Sequence, residues 1–105
     1  MSHIEQFCES AIAKGDGTSS KDHEYFESMK KSIRNLAYYS ELLPLLNHKN
    51  EWVVCWVASH LLANGYHTEA LKSLNKLATG NGMASFSAVI TIQEYKRGCF
   101  KSPFG

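Results

Sequence analysis

The sequence predicts an all-α fold of about five to six helices arranged as stacked antiparallel pairs. Apolar residues recur with helical period along almost the whole chain, and the breaks between periodic segments are short and rich in glycine and asparagine. Strand signals barely compete: Val89-Ile90-Thr91-Ile92 is a short β-branched run flanked by helical pattern.

Ile4, Phe7, Cys8, Ala11 and Ile12 form one stripe of a first amphipathic helix, which Lys14-Gly15-Asp16-Gly17 ends with glycine where a left-handed cap would sit. Thr18, Ser19 or Ser20 can cap the second helix, with Asp22 and Glu24 near its positive end. Its stripe is Tyr25, Phe26, Met29, Ile33, Leu36 and Ala37. Pro44, within Ser40 to Leu46, fits the first turn of a short helix or kinks a longer one. Asn50 is a good N-cap for a helix running from Glu51 to about Asn64. There Val53, Trp56, Val57, His60 and Leu61 share a face that Val54, Ala58 and Leu62 widen, as in a central helix. Thr68 offers an N-cap for the next stripe, Ala70, Leu71, Leu74, Leu77 and Ala78. After Gly80-Asn81-Gly82, Met83, Phe86 and Ile90, with Val89 or Tyr95, carry the core stripe of the last helix, which Lys96, Arg97 and Gly98 close.

Residues 1–105 read as a single domain, with 1–17 as the N-terminal helix and turn and 98–105 as an irregular tail held by Phe100 and Phe104. At 44% apolar and 20% charged the chain is globular in composition, and its length suffices for one core without metal or disulfide staples. Three widely spaced cysteines, Cys8, Cys55 and Cys99, read as thiols of a reducing cytosol. The start lacks a basic segment followed by an apolar core, and the run from Trp52 to Ala58 is far short of the roughly 20 residues a membrane span needs. A cytoplasmic location is the expectation.

From Leu42 to Leu77 the chain resembles a HEAT-type repeat. Leu43-Pro44-Leu45-Leu46 is similar to the end of a first repeat helix. Asn50-Glu51-Trp52-Val53 with Val57-Ala58 and Leu61-Leu62 is similar to the turn, buried valine, small-residue pair and leucines. Glu69-Ala70-Leu71 with Leu74 and Leu77 is similar to the second helix. Val54 stands where many such repeats carry an arginine, so the usual polar ladder between repeats is missing. The chain also resembles small bacterial HEAT-like domains of unknown function, some of which lie beside toxin genes as immunity proteins. The resemblance implies a short α-α superhelix and a protein-binding role.

No pattern of catalytic chemistry emerges. The five histidines show no close ligand pair of the kind zinc sites use, so neither metal nor cofactor is expected. There is no nucleophile elbow, and Gly15-Asp16-Gly17 and Gly80-Asn81-Gly82 lack the length and lysine of a phosphate loop. His60 with Cys55 or Glu51 is the one place where an enzyme reading would start.

Net charge is only +1 but unevenly spread. Residues 1–28 carry six acids against Lys14 and Lys21, which is −4, and residues 29–105 carry nine bases against four acids, which is +5. The first expectation is therefore a stoichiometric inhibitor of immunity type, presenting Glu9, Asp16, Asp22, Glu24 and Glu27 to a basic protein partner such as a nuclease toxin. Tyr39 and Trp52 are candidate aromatic anchors for that contact. Nucleic-acid binding through Lys72, Lys76, Lys96, Arg97 and Lys101 is the alternative, and membrane contact is not expected.

Overall fold

The computed structural model describes residues 2–15, 17, 18 and 20–104. Among them it has no strand and six helices: α1 (His3–Lys14), α2 (Asp22–Arg34), a 3-10 helix (Tyr39–Asn47), α3 (Glu51–Ala63), α4 (His67–Ala78) and α5 (Met83–Lys96). None of these is long and apolar enough to cross a membrane.

Helix α3 is central, as its nearly all-round apolar sequence predicts. Val53, Val57, Ala58, Leu61 and Leu62 have no exposed surface, and α3 packs against α1, α4, α5 and the 3-10 helix. The Asn50 side chain caps it by accepting from the N–H groups of Trp52 (2.9 Å) and Val53 (3.2 Å). Asn50→Ala should therefore lower stability by about 1 kcal/mol, read as a lower urea midpoint. An unchanged midpoint would mean that these two bonds add nothing in solution.

α1 and α2 form an antiparallel hairpin. Lys14 Nζ meets Asp22 Oδ1 at 2.6 Å beside the turn, and the Ser10 hydroxyl donates to Ser28 Oγ at 2.9 Å further along. Gly15 closes α1 with φ +50°, its N–H bonded to the Ala11 carbonyl, a conformation that side chains resist. Two expected caps are displaced: Lys21 and Tyr66, not Thr18, Ser20 or Thr68, hold the N-cap positions of α2 and α4. Ser19 and Asp16 lie outside the described residues.

The segment around Pro44 neither begins a short α-helix at the proline nor kinks a longer one. Proline has no N–H to give, and its ring clashes with the carbonyl four residues back, so the nine-residue stretch winds as a 3-10 helix with Pro44 inside it. Glu41 reaches back to its start, accepting from the N–H groups of Ala37 and Tyr38, both at 3.0 Å.

The face that α5 buries is the main departure from the sequence reading. Ala84, Ser85, Ala88, Thr91 and Ile92 face inward, while Met83, Phe86 and Ile90 are 60%, 61% and 38% exposed. α5 carries apolar residues on two opposite sides, and its small-residue side packs against α3 and α4. Ile12, placed on the α1 core stripe by its spacing, is likewise 48% exposed.

Gly98 ends α5 in the left-handed region at φ +76°. Its N–H bonds to the Tyr95 carbonyl and that of Cys99 to the Glu94 carbonyl, turning the chain sharply back over the helices. Beyond Cys99 no main-chain hydrogen bond ties the described tail to the helices, and side chains hold it instead.

Candidate functional site

Three features stand out: an aromatic cluster closed by the tail, a groove on the other side of α3, and the exposed stripe on α5. In the cluster, Phe104 is almost fully buried. It stacks on Phe26 (ring centroids 5.7 Å apart), meets Phe7 edge-on (5.8 Å) and contacts Trp56 (5.4 Å) and His60 (5.6 Å). Lys14 Nζ lies 5.4 Å from the Trp56 ring, a cation-π contact that links the α1–α2 turn to this cluster.

His60 is the polar centre of the cluster. The Phe104 N–H donates to Ser102 Oγ (3.2 Å), which in turn lies 2.6 Å from His60 Nδ1 in a hydrogen bond. The Asn64 amide also points at Nδ1, at 3.5 Å. Either ring tautomer keeps the Ser102 contact, because the hydroxyl can donate to Nδ1 or accept from it. Nε2 is buried without a conventional partner, and the ring stands edge-to-face with Tyr39 at 5.1 Å. Burial pushes the His60 pKa down.

Beneath the tail, a cavity of about 250 Å³ is lined by Trp52, Cys55, Trp56 and Ser87 together with Phe100 and Lys101. Burial pushes the Cys55 thiol up, opposed by hydrogen bonding with Ser87 and Ser59, so Cys55 is no activated nucleophile. Cys8 is raised by burial as well, and Cys99 is exposed; none of the three forms a disulfide.

The larger groove, of about 770 Å³, runs between the 3-10 helix, α3 and α4. Leu43, Leu46, Val54 and Leu77 give it apolar walls. Glu51, Glu69, Lys72 and Lys76 supply charge of both signs.

The acidic candidates do not assemble into a one-sign patch. Asp22 is engaged by Lys14, and Asp16 lies outside the described residues. Glu9 is exposed on α1, and Glu24 and Glu27 are exposed on α2, but α2 continues into Lys30, Lys31 and Arg34. Tyr39 is 42% exposed and packs on His60, while Trp52 is half-buried in the small cavity. The basic candidates are also interrupted, since Lys72 and Lys76 share their groove with Glu51 and Glu69. Among the described residues no three of His, Cys, Asp and Glu gather as metal ligands.

The sequence reading missed the exposed stripe and the His60–Ser102–Phe104 arrangement. Ala84 and Ala88, four residues apart with Ile92 a turn further on, were a usable signal for the first, because small side chains let helices approach closely. Nothing local marks Ser102 as a partner of His60. No protein family, curated protein or solved structure matches the chain.

Proposed function

We propose that this chain is a protein-binding module of the stoichiometric-inhibitor type, with α5 at the centre of its contact surface. The observation that carries this reading is the line of Met83, Phe86 and Ile90, spaced i, i+3 and i+7 and turned away from the core. Single exposed apolar residues are common on protein surfaces, whereas an aligned set on one helix is how a helix meets a partner. The packing of α1 on α2 and of α3 on α4 supports the HEAT-like part of the proposal, in which an end helix with an apolar outer side is one awaiting cover.

Inhibition of a basic toxin, such as a nuclease, is the narrower form of the proposal. Exposed Glu5, Glu9, Glu24 and Glu27 support it, as charges that steer a basic partner during approach rather than as a continuous phosphate mimic.

Both levels are tested by co-purification from cells with the intact protein and a Phe86→Ser/Ile90→Ser variant. The variant should keep its thermal midpoint within a few degrees and lose at least about tenfold in partner affinity, as expected for an anchor residue. A partner retained in full by the variant would remove α5 from the proposal. Neutralising the four glutamates should chiefly slow association at low salt; an unchanged rate would remove the toxin-directed form.

A further inference from the structure

We propose that the cavity between α3, α5 and the tail is a binding site for a free α-amino acid with an apolar side chain. Its volume of about 250 Å³ equals the share of roughly eight waters in the liquid. That lies just below the range of about 300–1,000 Å³ typical of sites for drug-sized ligands. A nucleotide is too large for it, whereas leucine and phenylalanine are of its size.

The lining changes character with depth. Cys55, Ser59 and Thr91 are buried and form the inner end. Their donors are already committed within the fold: the Ser59 hydroxyl donates to the Cys55 carbonyl at 2.7 Å, the Thr91 hydroxyl to the Ser87 carbonyl at 3.0 Å, and the Cys55 thiol to Ser87 Oγ at 3.7 Å. An inner end with no donor left to offer favours an apolar group over a sugar or other polyol. Half-buried Trp52, Trp56 and Phe100 give the middle of the cavity flat apolar walls.

Glu94 and Lys101 line the same cavity but are exposed, which places them at its mouth. Neither is in an ion pair within the chain, where Lys14–Asp22 is the salt bridge among the described residues. An anion and a cation at one mouth answer a ligand that carries both charges on one carbon. Its ammonium meets Glu94, its carboxylate meets Lys101, and its side chain enters between the aromatic walls. A plain amine or a plain carboxylic acid would leave one of the two charges unanswered. Phe100, Lys101 and Pro103 belong to the tail, which side chains rather than main-chain hydrogen bonds hold to the helices, so the ligand can enter without breaking a helix.

Trp52 and Trp56 are the two tryptophans of the chain and both line the cavity, so intrinsic fluorescence reports its occupancy. Titration of the full chain with L-leucine and with L-phenylalanine should give a saturable change with a Kd of about 10 µM to 1 mM, the range for a ligand of roughly a dozen non-hydrogen atoms. Glu94→Gln and Lys101→Gln, both at exposed positions, should each raise that Kd about tenfold and leave the thermal midpoint of the free protein in place. The loss should follow the missing charge. Phenethylamine, which lacks the carboxylate, should be weakened by Glu94→Gln and indifferent to Lys101→Gln, and 3-phenylpropionate, which lacks the ammonium, should show the reverse. Absence of a saturable change up to about 10 mM of either amino acid overturns the inference, since that is well above the expected range. So does phenylalanine binding that neither variant weakens, or analogues that respond to both variants alike. Met83, Phe86 and Ile90 do not line the cavity, so any of these failures leaves the partner surface proposed on α5 standing.

Discussion

Phe104→Ala should lower the stability of the domain by about 3–5 kcal/mol, the range for emptying a buried aromatic site. The ring touches Phe7 on α1, Phe26 on α2, and Trp56 and His60 on α3, so its loss opens a cavity shared by three helices. Those helices cannot close over it, because α3 is fixed on its other sides by α4, α5 and the 3-10 helix. Ser102 would lose its neighbour as well, freeing the tail back toward Gly98. Domains of this size hold about 5–15 kcal/mol in total, so the variant would sit near unfolding at moderate temperature. Equilibrium urea unfolding measures the effect, with Phe104→Leu as a milder companion that fills most of the volume. A loss below about 1 kcal/mol for the alanine variant would mean that the tail is not part of the core in solution.

The second large effect is a fall in stability on acidification, set by His60. Burial lowers its pKa in the folded protein, while in the unfolded chain it titrates near 6.5. Well above that value His60 is neutral in both states and adds no pH dependence. As pH falls through about 6.5 the unfolded chain takes up a proton that the folded protein refuses. Stability then declines until pH reaches the lowered folded value, below which the decline stops. His60→Gln removes the titration while retaining an acceptor for Ser102. Its stability profile between pH 7 and 5 should be flatter than that of the parent protein. Parallel profiles would show that other groups govern the acid response.

The helical architecture was legible because it follows from local properties. Asn50 announces the start of α3, and the all-round apolar character of Val53 to Leu62 places that helix in the centre without reference to its neighbours. α5 was misread because periodicity identifies a face but not what covers it. A helix with Met83, Phe86 and Ile90 on one side and Ala84, Ala88 and Ile92 on the other offers two solutions, and tight approach to α3 and α4 selects the smaller residues. Charge counted along the sequence was misleading for a related reason. The acidic stretch ends partway through α2, and folding sets Lys14 against Asp22 and continues the same helix into Lys30, Lys31 and Arg34. Phe104 was legible as an anchor of the tail, but not the slot that it fills, which is built by residues from three distant helices.

That slot bears on the order of assembly during synthesis. A ribosome delivers Phe7, Phe26 and Trp56 well before it delivers position 104, so α1, α2 and α3 can meet while the place for the last ring is still empty. The nascent chain would pass through a stage with native-like helices and an open aromatic seam, the kind of transient surface on which chaperones act.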